Sequence, residues 1–202
     1  MNNTMKKLIF LMMLGLSVWT LSAQRNNAQK WYQLGFRLST QFPLVREYSD
    51  VDYLENQKTV HFGGFFRAGK YVYGEIGIGY QYFRCRYNTI DYASGEELSD
   101  IVETRYLVIP FKAVGDVQIN KNISFMPMVG VIYQPLLKVT ENTIGYSKKN
   151  IENHWAFFTT GFDWRFAFIT VGVDYRIALQ DFFYDKAGRN PQYIGISLGA
   201  IF

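Results

Sequence analysis

The chain has 202 residues, with 21 Lys or Arg against 17 Asp or Glu, a formal net charge of +4. Its charged fraction of 19% falls below the roughly 25% of soluble domains, while 18% of its residues are aromatic. So weak a positive balance excludes a nucleic-acid partner, and the lone cysteine, Cys85, excludes a disulfide framework or a cysteine metal cluster.

Lys6 and Lys7 precede an apolar run from Leu8 to Leu21, and Leu21-Ser22-Ala23 offers a small-residue cleavage site before Gln24. Residues 1–23 therefore read as a secretory signal removed on maturation, and residues 24–202 as one domain. The apolar run is too short for a retained membrane helix, and no cysteine follows it to carry a lipid anchor. Beyond it no stretch approaches the ~20 apolar residues that a spanning helix needs. A chain of this kind crosses a membrane only as strands of a closed barrel, because lipid offers no partner to an open backbone.

The first strand is marked by Tyr32, Leu34, Phe36 and Leu38 alternating with Gln33, Gly35, Arg37 and Ser39. A polar stretch from Pro43 to Gln57 reads as a long loop. The second strand, Lys58 to Ala68, sets Val60, Phe62 and Phe66 against His61, Phe65 and Arg67, and Gly69-Lys70 forms a tight turn. The third, Tyr71 to about Tyr87, places Val72, Ile76, Ile78, Tyr80 and Tyr82 on one face and Tyr73, Glu75 and Gln81 on the other. A second long loop, Asn88 to Asp100, precedes the fourth strand, Val102 to Val114, with Leu107, Ile109 and Phe111 outward and Tyr106, Val108 and Lys112 inward.

The short link Gly115 to Asn122 leads to the fifth strand, Ile123 to Leu137, where both faces are apolar and two prolines intervene; Phe125, Val129, Val131 and Tyr133 are read as outward. After a third long loop, Lys138 to Asn153, the sixth strand sets Phe158, Phe162 and Trp164 against Phe157, Asp163 and Arg165. A tight turn at Phe166-Ala167 brings the seventh, Ile169 to Ile177 on alternate positions against Asp174 and Arg176. A last long loop, Asp181 to Gln192, ends at the closing strand Tyr193 to Phe202, which is expected to pair with Tyr32 to Leu38 and so remove both sheet edges.

Eight strands with long and short connections in strict alternation predict an all-β, eight-stranded antiparallel up-and-down transmembrane β-barrel, with both mature termini on the short-turn, periplasmic side. The strand alternation by itself also fits a lipocalin-type barrel with its apolar face inward; the signal, the terminal Phe202 and paired aromatic rims favour an apolar face toward lipid. Arg37, Arg67, Glu75, Lys112, Asp163, Arg165, Asp174 and Arg176 all share the opposite face, where they form a lumen charge network. Within it Asp163, Arg165, Asp174 and Arg176 are positioned to pair across the sixth and seventh strands, and Glu75 to reach Arg67 or Arg37. Ile194, Ile196, Leu198 and Phe202 form an alternating C-terminal assembly signal.

The segments Leu21-Ser22-Ala23-Gln24, Arg105 to Lys112 (RYLVIPFK) and Val173 to Leu179 (VDYRIAL), with the aromatic last strand, resemble the PorT-like eight-stranded outer-membrane barrel family of Bacteroidota. Ala178-Leu179 departs from the family's glycine-leucine pair. The resemblance implies insertion by the barrel-assembly machinery and, through the founding member, a link to type IX protein secretion. The expected function is that of an integral outer-membrane protein without enzymatic activity, acting through external loops or as an accessory of secretion or envelope assembly. The alternatives are a stand-alone structural or adhesive barrel for envelope integrity, and an envelope lipid-modifying enzyme using His61 or His154 as a general base. No cofactor or metal site is expected. The expected partners are outer-membrane lipid and lipopolysaccharide, the barrel-assembly machinery, and secretion or envelope proteins. An acidic first loop (Glu47, Asp50, Asp52, Glu55) and a basic third loop (Lys138, Lys148, Lys149) are the candidate recognition edges.

Overall fold

The computed structural model describes residues 31–44, 53–90, 95–140, 142, 147–149, 151–180 and 190–202; the expected signal and most of the first and last expected loops lie outside the described residues. Among the described residues nine strands form one antiparallel sheet: β1 (Tyr32–Pro43), β2 (Tyr53–Gly69), β3 (Val72–Ile90), β4 (Glu97–Gly115), β5 (Val117–Gln118), β6 (Ile123–Val139), β7 (His154–Phe166), β8 (Ile169–Ala178) and β9 (Gln192–Ile201). β5 continues β4 along β6 after a break at Asp116, so the two act as one stave. The pairings β4 to β6 and β1 to β9 close the sheet into an eight-staved barrel that leaves no open edge.

The period-two pattern settles which side chains face out. Val60, Phe62, Ile76, Ile78, Phe111, Val171, Ile196 and Leu198 stand exposed on the outer wall, while Tyr73, Tyr106, Met126, Trp155 and Tyr193 are buried inside. The proline-interrupted β6 follows the same rule: Val129, Val131 and Tyr133 point outward, and Met126, Met128 and Ile132 inward. Phe125 packs its ring against Phe162 at 5.4 Å and Trp164 at 5.2 Å on the outer face. Phe202 sits between Phe36, at 5.6 Å, and Phe168, at 6.4 Å. These rings form a rim at the short-turn end, where Trp31, Tyr32, Tyr71 and Phe166 are also exposed.

Two expectations are corrected. The first two long loops are shorter than their polar composition implies, because β2 begins at Tyr53, β3 runs to Ile90 and β4 begins at Glu97, with Ile90 opposite Glu97 in the ladder. Backbone hydrogen bonds carry a hairpin onward whatever its side chains, so loss of apolar alternation marks the end of the oily wall and not the end of the strand. The seam is also displaced. β9 pairs with Gly35 to Pro43, with Phe202 bonded to Leu34, instead of covering Tyr32 to Leu38. That stagger is the shear that closing a sheet of tilted strands requires.

The short turns are tight for local reasons. Gly69 adopts φ 149°, and a side chain there would overlap the Val72 carbonyl. Ala167 takes φ 55°, held by its N–H donating to the Asn122 carbonyl at 2.6 Å.

Candidate functional site

The interior is stacked in tiers. At the short-turn end Arg165 donates to Ser124 Oγ at 2.7 Å and lies 3.2 Å from Asp116 Oδ2. Above it Arg67, on β2, donates through Nε to Glu75 Oε2 at 2.7 Å and through Nη2 to Asp163 Oδ2 at 3.1 Å. Arg37, on β1, donates to the same Asp163 oxygen at 2.7 Å and to Glu75 Oε1 at 3.3 Å. Lys112 Nζ stands 3.8 Å from Glu75 and 3.6 Å from the Met128 sulfur. β2 and β7 occupy opposite sides of the barrel, so the Arg67–Asp163 bond spans its full width.

Each member of this tier is fixed by its neighbours. The Phe65 ring lies 4.9 Å from the Arg37 guanidinium and 4.7 Å from that of Arg67, so both cations stack on one aromatic face pair. Gly172, across from Asp163 in the β7–β8 ladder, leaves the space its carboxylate occupies; a methyl group there would overlap Asp163 Oδ1. The side chains of Arg67, Glu75 and Asp163 are at most 1% exposed. In such surroundings ions persist only when each is paired, since desolvation of an isolated charge costs several kcal/mol, roughly.

A mixed layer of amides, a histidine and one ion pair lies above. Gln81 Oε1 accepts from Gln41 Nε2 at 3.1 Å and from Gln134 Nε2 at 3.2 Å, linking β1, β3 and β6. Asp174 and Arg176 pair with each other along β8. His61 Nδ1 lies 3.1 Å from Ser39 Oγ, a neighbour that the strand register supplies and the linear sequence hides. Its other nitrogen is packed against the backbone of Gly63 and Gly79, where a Cβ would collide with it. His154 sits instead on the outer wall, its Nδ1 2.6 Å from Tyr133 Oη with the rings stacked.

The long-loop end is filled by an apolar cluster of Phe83, Val102, Tyr106, Val108, Ile132, Leu136, Ile151, Trp155, Phe157 and Tyr193. Tyr106 stacks on Trp155 at 5.4 Å, and Trp155 meets Phe157 edge-on at 5.3 Å.

All eight residues of the expected lumen network face inward, and Glu75 pairs with both Arg67 and Arg37 as expected, but the pairs expected across the sixth and seventh strands do not form. Asp163 reaches Arg37 and Arg67 across the lumen, Asp174 and Arg176 pair within one strand, and Arg165 joins Asp116. The sequence reading missed Asp116 because it lies in what reads as a short link, and Ile151 because it lies inside a polar loop. Ile194, Ile196, Leu198 and Phe202 lie on the outer face of β9, and among the described residues no group of three or more His, Cys, Asp or Glu could hold a metal ion.

The fold and its tiers define a closed eight-stave antiparallel barrel with an oily wall and a packed interior. No family model and no curated protein matches the chain. Among solved structures it is similar to the N-terminal β-barrel domain of OprF from Pseudomonas aeruginosa, at 8% identity and TM-score 0.44 over 84% of this chain and 97% of that one. It is similar to Ail, the attachment invasion locus protein of Yersinia pestis, at 12% identity and TM-score 0.41 over 85% and 97%. A third is the translocator domain of the autotransporter NalP from Neisseria meningitidis, at 8% identity and TM-score 0.44 over 98% and 97%.

Proposed function

We propose that the chain is an integral outer-membrane barrel of PorT-like kind, with neither pore nor enzymatic activity, that acts at its long-loop edge as an accessory of protein secretion or envelope assembly. The observation that carries this reading is the contrast between wall and interior: exposed apolar side chains all round the outside, and a lumen crossed by ion pairs and stoppered by rings. On β3 the outward apolar and aromatic stretch from Val72 to Tyr82 is about ten residues long. At the roughly 3.3 Å rise of a strand and a tilt of about 40°, it covers ~25 Å along the barrel axis, the height of a lipid-facing band. In that placement both ends of the mature chain are periplasmic and the long connections face the medium.

A lumen so filled leaves no route for solutes and directs function to the outer edge. The Ser39–His61 contact is a packing device in this reading, since the free ring nitrogen abuts backbone and not a space that a substrate could enter. The test is affinity capture of the tagged full chain from detergent-solubilised membranes, together with its deletion. Recovery of the same envelope or secretion proteins in replicate captures, with impaired export on deletion, supports the proposal; a clean capture with normal export contradicts it. Lipid composition unchanged by His61→Ala and His154→Ala is the expected result for a non-enzyme, and altered lipid A acylation would overturn that part.

A further inference from the structure

Outside the lumen, one stretch of wall breaks the apolar pattern. Lys58 on β2, Arg84 and Arg86 on β3, Arg105 on β4 and Lys138 on β6 occupy outward positions at the long-loop end, on four neighbouring staves. The ladder sets Lys58 opposite Arg84, and Arg105 opposite Lys138, so the five form one continuous patch. Each lies one or two outward positions beyond the apolar and aromatic wall formed by Val60, Tyr80, Tyr82 and Leu107. In register, Glu55 stands opposite Arg86 and Glu103 opposite Arg84, two acidic residues against five basic ones. The Arg84–Glu103 contact, at 3.7 Å between half-exposed groups, is too loose to neutralise the patch.

The same residues line a cleft. Lys58, Arg84 and Arg86, with Cys85 and Ile101, surround a hollow of about 250 Å³ in the wall. On β4, opposite Tyr82, the Nε of Arg105 is buried and has no hydrogen-bond partner. The other half of the circumference differs: at the same end β1, β9 and β8 present Thr40, Phe42, Ile194, Tyr175, Ile177 and Leu179 outward, with no cation among them.

We propose that this cleft binds the phosphate of an outer-leaflet lipopolysaccharide molecule, the guanidinium and ammonium groups holding the phosphoryl oxygens while the outward Tyr80, Tyr82 and Leu107 on their membrane side contact the acyl chains. The inference rests on the membrane placement given above, which sets these cations at the depth of the lipid head groups. Guanidinium groups are suited to the role because their planar fork matches phosphate oxygens two at a time. Cations placed anywhere on the wall would serve solubility; cations confined to one side, at one height, around a concavity with an apolar edge, match a single phosphorylated lipid.

The test uses the full barrel refolded in detergent, titrated with lipid A, with enzymatically dephosphorylated lipid A and with phosphatidylglycerol, bound lipid being counted by native mass spectrometry. Wild-type barrel is expected to bind lipid A on the order of a hundredfold more tightly than the dephosphorylated form, at roughly a fivefold loss for each of three cations deprived of its phosphate. The triple variant Lys58→Gln, Arg84→Gln, Arg86→Gln is expected to lose the same factor, and the loop control Lys148→Gln, Lys149→Gln to lose none. Equal wild-type affinity for lipid A with and without phosphate overturns the proposal, as does equal affinity for phosphatidylglycerol or an unaffected triple variant. If the triple variant fails to fold, the comparison between lipids on the wild type still decides. A barrel that loses its heat-dependent gel shift in phosphatidylcholine vesicles would overturn the membrane reading; one that keeps the shift but does not discriminate overturns the lipid site alone.

Discussion

Below the level of Gln81 the lumen is crossed by ions beside a small apolar cluster of Phe65, Tyr73, Val114, Met126 and Met128, and above it the lumen is filled by rings. In the lower tier Asp163, Glu75, Arg37 and Arg67 are nearly without water and are compensated by one another. In the upper tier Trp155, Tyr106, Phe157 and Tyr193 fill comparable space through ring contacts. The two solutions differ in how they fail. Ring packing loses contact area in proportion to what is removed, whereas the ion tier converts one lost partner into an unpaired charge in a dry interior. The lower tier therefore fixes which staves face each other, and the upper tier supplies bulk stability and the stopper.

That contrast can be broken most sharply at Asp163. Asp163→Ala leaves Arg37 and Arg67 to share Glu75 alone, one positive charge in excess of its compensation, and is expected to destabilise the barrel by about 5 kcal/mol, read as the urea midpoint of the folded band on unboiled gels. Replacing the cross-lumen pair together, Arg67→Met with Asp163→Leu, is expected to recover most of that loss, because no unpaired charge remains. If the double variant is as unstable as Asp163→Ala, the lower tier does not act through its pairing.

Trp155→Ala comes next, at about 3 to 4 kcal/mol by the same gel assay, since it removes a fully buried ring from the upper cluster. A rise in ion conductance should accompany it. Gly172→Ala is expected to cost ~1 to 3 kcal/mol by forcing Asp163 from its seat and crowding Ser197 Oγ, and the cost should fall to the smaller Ser197 part in an Asp163→Ala background. Smallest is Lys149→Ala on the exposed third loop, within about 0.5 kcal/mol of wild type.

The wall was legible in the sequence because lipid and lumen impose opposite demands on alternate residues. Even β6, with Pro127 and Pro135, keeps its phase from Met126 to Leu136, beyond which a register shift against Arg105 and Tyr106 turns Lys138 outward. The strand ends were not legible past the oily band, since the ladder from Tyr82–Arg105 to Ile90–Glu97 depends on backbone groups and not on side-chain type. Inward charges could be counted from the alternation at Arg37, Arg67, Glu75 and Asp163, yet their partners could not. A bond across the lumen depends on barrel radius and shear, neither of which is local. Ser39 and His61 meet for the same reason: their adjacency is a matter of register between β1 and β2. The basic cleft was half visible, because Arg84 and Arg86 already break the outward pattern, while Lys58, Arg105 and Lys138 join them only through the ladder.

The most direct trial of a sealed barrel is electrical. Purified full chain inserted into a planar bilayer should show no stepwise conductance at 100 mV or below, while Trp155→Ala inserted to the same density should show a small, noisy one. Steady unitary currents through the wild type would contradict the sealed lumen and, with it, the assignment of function to the outer edge.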